Sequence, residues 1–525
     1  VRKPYLIKHN KAIGEEIMAR KTALALLVTG ISLFFLASVG LAQTPQHGGV
    51  LKMMTNWGPQ VLGYYPEMGQ YDMGASYPGV EWLVTMGPNR QLVPFLCDKV
   101  DVDPKKLTMT FKLKKGIKFH DGSDLNAEVA VWNFKMDLEA KKIRYGDLIK
   151  SIEINDPYTF TLHMSEYNNQ MYFGYGFTAM FSKKAFETHG KEWCRLNPVG
   201  TGPFKFVEYK RDSHIKWERF PDYWQKGKPY LDGIEQIIVP DPVTASQMFQ
   251  SKQVDMWISA SAKDQFELEK KGFKRQSDWP ALPYLIYLNT ANPNAPTANL
   301  KVREAIEYAL DRPAMAKALG FGYYEPLKMV APQSEWGYDP NFKGRPYDPA
   351  MSKKLLAEAG HPNGLKLKLL AMAEGGGKND RAEAIAAYMD QAGFNVDIDI
   401  ADPGRFFGSL FGTGFDDMLL FLCGLDDSFL ATVETWFGHS PLTNIVSFKR
   451  PPEFIALCKQ ASLYTNKSDQ KKATEKLVRM ISDEALIIPL WKEPVAVMKQ
   501  NYVHTMYYMR GFIHWASYDD WMEKH

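Results

Sequence analysis

Cysteine is scarce in this chain, and the few present lie far apart. Cys97, Cys194, Cys423 and Cys458 are the only four in 525 residues. None forms a C-x-x-C pair, which removes zinc ribbons and thioredoxin-like redox motifs. Other chemistry-bearing patterns are missing too. No H-E-x-x-H occurs, and the 11 histidines are scattered without metal-ligand spacing. "GASYPG" (Gly74 to Gly79) misses the G-x-S-x-G elbow of a serine hydrolase. "AEGGGKND" (Ala373 to Asp380) lacks the Gly-Lys-Ser/Thr that closes a phosphate loop. The acid pairs Asp416-Asp417, Asp426-Asp427 and Asp519-Asp520 are immediate neighbours, as on solvated faces and turns, not the separated carboxylates of a glycosidase. These absences argue against an enzyme, and against a resident metal or cofactor.

Excess charge of one sign is lacking as well. The formal net charge is +3, but residues 1–42 hold six of the 63 basic and two of the 60 acidic residues. The remainder carries 57 basic against 58 acidic groups, so nothing points to nucleic acid. The basic excess belongs to a leader. "MARKTALALLVTGISLFFLASVGLAQT" starts at Met18, places Arg20-Lys21 before an apolar run, and ends in Gly40-Leu41-Ala42 before Gln43. That order describes a secretory signal peptide with cleavage near Ala42-Gln43, an uncleaved anchor being the alternative. No apolar stretch after Gln43 is long enough to span a bilayer. An exported chain permits disulfides, and Cys423 with Cys458 is the favoured pair, free buried thiols the alternative.

At 525 residues two or more domains are expected. Aromatics make up 13%, including 13 Trp and 26 Tyr, an abundance that suits gripping a ligand with flat faces. Residues 43–280 read mostly as strands and turns. In "KKGIKFHDGSDLNAEVAVWNFK", His120-Asp121 stands before Gly122, but the alternation that precedes it and the helix cap at Asn126 make it a strand-to-helix turn. "GPFKFVEYKRDSHIKWERF" is a hairpin turning at Arg211-Asp212-Ser213, with Phe204, Phe206, Ile215 and Trp217 as inward candidates. Beyond "PYLIYLNTANPNAP" helices and strands alternate. Asp311 and Asp348 cap helices with Pro313 and Pro349 in the first turn, while Gly320 and Gly360 mark their ends. "LKLKLLAM", "RAEAIAAYMDQAG" and "NVDIDI" form a βαβ unit, which requires a parallel pair.

The expected fold class is therefore α/β: a first lobe of 43–282 with 488–525, and a second α/β lobe of 283–487, hinged by two crossing segments around a ligand cleft. Ligands of open α/β sheets sit beyond the carboxyl ends of the strands. Those ends are "AEGGGK" and "GLDDSFL", which offers Asp426, Asp427 and Glu374 to a cationic group. Trp436 and His439 follow, and Trp57 and Tyr145 are further candidates to line the cleft.

"LTMTFKLKKGIKFHDGSDLNAEVAVWNFK" resembles the signature of the extracellular solute-binding proteins of the dipeptide-, oligopeptide- and nickel-binding family (family 5), which serve ABC importers. "NPVGTGPFKFVEYKRDSHIKWERFPDYWQKGKPYLDGIEQIIVPD", "YLNTANPNAPTANLKVREAIEYALDR", "YDPAMSKKLLAEAGHPNG" and "IIPLW" are similar to it in the same order. The resemblance implies a monomeric periplasmic binding protein of the large three-subdomain, class II type, presenting its solute to an inner-membrane permease. In peptide-binding members an Asp in a loop resembling "CGLDDSFL" grips the peptide amine, a role Asp426 or Asp427 would inherit. The loop here lacks the usual longer Trp- and Asp-Pro-containing form. Nickel-binding members imply His439, Tyr145 and Arg144 instead, and oligosaccharides are a further ligand class of the family.

Overall fold

The computed structural model describes residues 44–525 apart from 88–89, 278–280, 375–378, 439–444, 506, 510–512 and 525. The leader and His439 thus lie outside the described residues. The chain divides into Val1–Gln46, described only at 44–46, and His47–His525, which holds everything below.

Three sheets organise that second unit. The first has seven strands and centres on Val50–Thr55, paired in parallel with both Gly233–Ile238 and Met256–Trp257. Its edge is the expected hairpin: Phe204–Lys210 runs antiparallel to His214–Arg219, and Asp212 takes the left-handed conformation (φ 56°) at the turn. Phe204, Ile215 and Trp217 are buried and Phe206 half-buried, as the alternation requires. A separate four-stranded antiparallel sheet, Cys97–Asp103, Thr108–Leu113, Thr159–Met164 and Ile149–Asp156, packs Phe111 and Phe160 against Phe134 of the helix Ala127–Glu139. Asn126 caps that helix by accepting from the Val129 N–H at 3.0 Å.

The third sheet runs Glu325–Pro326, Ile487–Glu493, Leu282–Leu288, Met418–Leu422, Leu365–Met372, Phe394–Ala401. The βαβ unit is present in it: Leu365 to Met372 pairs in parallel with Phe394 to Ala401, with the helix Asp380–Gln391 between. Both faces are covered by apolar side chains, which is why "LPYLIYL" and "MLLFL" are continuous apolar runs rather than alternating ones. Asp311 and Asp348 cap their helices, accepting from Ala314 N–H at 3.0 Å and Met351 N–H at 2.9 Å.

Two segments cross between the first and third sheets. Leu282–Leu288 already belongs to the third, and Ile487–Glu493 pairs with it antiparallel. The return therefore falls at 494–496, not at 488: "IIPLW" is fully buried and completes the third sheet before the chain leaves it. Val497–Lys499 then pairs with Met256–Trp257 and Lys274–Gln276 of the first sheet, and Val503, Trp515 and Met522 pack into that sheet's core.

All four cysteines are free and buried, so Cys423 and Cys458 are not bonded to each other. Cys423 and Cys458 share one apolar core and Cys97 lies in another; burial pushes all four thiols up, to about 12 at Cys97 and about 11 at Cys194. Such thiols are poor nucleophiles. An aromatic disulfide reagent is expected to label the native protein slowly and to count four thiols in denaturant. Two thiols in denaturant would restore the disulfide.

Candidate functional site

His120-Asp121 is a fastening of the fold. The His120 N–H donates to the Gly200 carbonyl and its ring Nε2 to the Gly202 carbonyl, both at 2.9 Å. Those glycines run against the backbone of Gly79, where a Cβ on Gly200 would lie 2.1 Å from a carbonyl oxygen. Asp121 accepts from Ser123 N–H at 2.9 Å, Ser123 Oγ at 2.5 Å and Ser182 Oγ at 2.6 Å. Burial pushes His120 down to about 4, which keeps the ring neutral at physiological pH.

A cavity of about 1690 Å³ opens between the lobes. Trp57, Lys142 and Arg144 contribute from the first, Glu374, Asp426 and Trp436 from the second, and the crossing segment Glu493 to Ala496 closes its hinge side. Of the residues expected at a binding site, Trp57, Glu374, Asp426 and Trp436 line this cavity. Tyr145 and Asp427 do not; they stand behind its wall. The strand ends at Met372 and Leu422 both open into it, as the topology of an α/β sheet dictates.

Asp426 comes with its own counter-ion. After the helix Ala127–Glu139 the chain turns through Lys141 (φ 55°) and Tyr145 (φ 57°), and between them Arg144 projects across the cleft. Its Nη1 donates to Asp426 Oδ2 at 3.2 Å and its Nη2 approaches Oδ1 at 3.5 Å. Both side chains are buried, 6% and 4% exposed. Phe173 lies under the guanidinium, 5.0 Å from its ring centre. Burial alone would lower the Arg144 pKa, and Asp426, Tyr145 and Asp427 together more than reverse it. Asp426 is held from its own side by the helix Phe429–Trp436: Thr435 Oγ1 donates to Oδ2 at 2.6 Å, and Thr432 Oγ1 accepts from the Asp426 N–H at 2.9 Å. Arg90, paired with Glu335 at 2.6 Å, adds a bond to the Asp426 carbonyl at 3.3 Å.

A second cross-lobe contact lies beside it. Tyr145 O–H donates to Glu434 Oε2 at 3.1 Å, and the Gln170 amide donates to the same oxygen. Glu434 is buried, and that burial pushes its carboxyl up to about 8. Glu374 is likewise engaged. It pairs with Arg381, whose Nε and Nη2 also bind Glu493 at 2.9 and 3.0 Å and whose guanidinium lies over Tyr284. Among the described residues no group of three or more His, Cys, Asp or Glu could hold a metal ion.

Residues 91–418 match the family described as bacterial extracellular solute-binding proteins, family 5. The chain belongs to this family. Family 5 proteins capture a solute and deliver it to an ABC transporter; they are binding proteins, not enzymes. Among curated relatives, the glutathione-binding protein GsiB of Escherichia coli K12 is 30% identical over 384 residues, 71% of this chain and 72% of that one. Heme-binding protein A of Haemophilus influenzae is 28% identical over 439 residues, 76% and 78% of the two chains. Among solved structures, DppA of Helicobacter pylori in complex with the peptide STSA superposes with a TM-score of 0.81 at 22% identity, covering 91% of this chain and 99% of that one. The two-lobed family 5 fold is therefore the fold of this chain.

Sequence reasoning missed Glu434, Gln170 and Arg90 at this family 5 cleft, and left Arg144 without a partner. Arg144 and Asp426 are 282 positions apart, and Tyr145 and Glu434 are 289 apart. No local pattern signals such a pair.

Proposed function

We propose that this family 5 protein binds a short peptide or other small amine-bearing zwitterion, as an exported, periplasmic monomer that serves an inner-membrane ABC permease. The observation that carries the reading is the Arg144–Asp426 pair, formed from opposite lobes in the wall of a cavity of about 1690 Å³. A solute ammonium competes with the Arg144 guanidinium for Asp426, and the freed guanidinium turns to the solute's carbonyl oxygens. Each buried charge thereby exchanges one partner for another, so the desolvation already incurred on closing is not repeated. The cavity exceeds the 300–1,000 Å³ usual for drug-sized ligands, which suits an extended chain with accompanying water. Relatives named for glutathione, and fold neighbours solved with peptides, support the class. Export follows from the leader, with cleavage near Ala42-Gln43.

The test is to recover what co-purifies from the native host by mass spectrometry and metal analysis, then titrate it against Asp426→Asn and Asp427→Asn. A charge-assisted bond contributes roughly 1.5–3 kcal/mol, so Asp426→Asn is expected to weaken binding by about tenfold to a hundredfold. Unchanged affinity in both variants ends the amine-anchor reading. A stoichiometric metal in the recovered material, lost in a His439→Ala variant, replaces it with a chelate.

A further inference from the structure

One buried acid in the cavity wall is left unused by the closure contacts. Asp137 lies in the last turn of the helix Ala127–Glu139, is 0% exposed, and neither carboxyl oxygen has a hydrogen-bond partner. An ionised carboxylate in that state is costly, and the negative end of its own helix adds to the cost. Burial accordingly raises its pKa well above the ordinary value, with Lys142 acting only as a weaker opposing influence. Burial thus favours the protonated form, in which one of the two oxygens is a donor.

Lys142 stands beside it. Its own N–H is fixed to the Asp137 carbonyl at 2.8 Å, and its Nζ donates to the Met68 carbonyl at 3.1 Å rather than to the Asp137 carboxyl. Both residues line the cavity. Asp72, a second acid on this wall, is committed to the backbone, accepting from Gln60 N–H at 2.7 Å and Gly69 N–H at 2.8 Å. Burial lowers the Lys142 pKa, against the weaker pull of Asp137, Asp72 and Glu67; Tyr64 and Tyr65 are further titratable groups that feel Asp137. The wall thus presents an ammonium whose hydrogen bond goes to a backbone carbonyl and not to a carboxylate.

We propose that Lys142, with Asp137 beside it as a hydrogen-bond donor, is the subsite that takes a carboxylate of the bound solute. The inference rests on the peptide reading above and deepens it: Asp426 takes the amine, and Lys142 and Asp137 take the acid. A solute ammonium is the wrong complement here, because it would have to displace the Asp137 proton and sit against Lys142.

The experiment incubates the full chain with a pool of tri- to pentapeptides, prepared once with free C-termini and once amidated, and weighs the retained fraction by mass spectrometry. The wild type is expected to prefer the free acids by about tenfold or more. Lys142→Met should abolish the preference and Lys142→Arg should keep it, which separates loss of charge from loss of fold. Asp137→Asn should also keep it, since an amide still donates, without lowering the melting temperature. Equal retention of both pools by the wild type, a preference that survives in Lys142→Met, or loss of acid binding in Asp137→Asn overturns the subsite alone. Retention of neither pool by the wild type removes the peptide reading and the subsite with it.

Discussion

Replacing Arg144 by methionine is expected to open the molecule. The substitution leaves Asp426 buried without its main counter-ion, and breaking one side of a buried pair costs about 3–5 kcal/mol. The pair joins the two lobes, so the chain can avoid that cost by separating them and hydrating Asp426. The loss should therefore appear as lost closure and not as lost folding: a larger radius of gyration in solution scattering, with little change in melting temperature. The remaining cross-lobe contacts, Asn169 N–H to the Ser462 carbonyl at 2.8 Å, Arg90 with Glu335, and Tyr145 and Gln170 with Glu434, place no cation on the Asp426 carboxylate and so leave that cost in place. Replacing both partners, Arg144→Met with Asp426→Leu, should restore closure, because a matched apolar pair leaves no buried charge. An unchanged scattering profile in Arg144→Met would show that the pair does not hold the lobes together. A lowered melting temperature with unchanged scattering would make it part of the fold instead.

Closure is also expected to take up a proton at Glu434. In the closed arrangement burial pushes this carboxyl up to about 8 from an ordinary value of 4.5. Two donors, Tyr145 and Gln170, converge on Oε2, which leaves Oε1 to carry the proton. Opening returns the group to water and to its ordinary range. Below 4.5 the carboxyl is protonated in both states, and pH has no effect through it. From there to about 8 the open state is ionised while the closed one is not, so rising pH favours opening, by up to about tenfold per pH unit. Above about 8 both states are ionised and the dependence levels off. Arg144 opposes the shift and Asp426 adds to it, but the direction is set by burial. Solute affinity should therefore fall as pH rises through neutrality, and Glu434→Gln should flatten the profile. A wild-type profile flat between pH 5 and 8, or a slope that persists in the Gln variant, would remove Glu434 as its source.

Short-range physics accounts for what the sequence determined by itself. Asn126, Asp311 and Asp348 cap helices because a side-chain oxygen three residues ahead of a free N–H needs nothing else to act. "LKLKLLAM" and "NVDIDI" pair in parallel because a helix of 12 residues between them leaves no other connection. The His120-Asp121 turn was legible for the same reason, and so were the strand ends that face the cleft, which placed Asp426 and Glu374 at the cavity.

Only the tertiary structure decided how those residues are used. It gave Asp426 a guanidinium from the other lobe and Glu374 a share of Arg381. It moved the second crossing past 488, because the burial of "IIPLW" is fixed by the strand it meets, Leu282–Leu288, some 200 positions earlier. It kept Cys423 and Cys458 as separate thiols and left Asp137 without a partner. A charge or a thiol acquires its chemistry from whatever is brought within a few ångströms of it, and in this chain those neighbours lie in another lobe or on the far side of a sheet, where no periodicity along the sequence reaches.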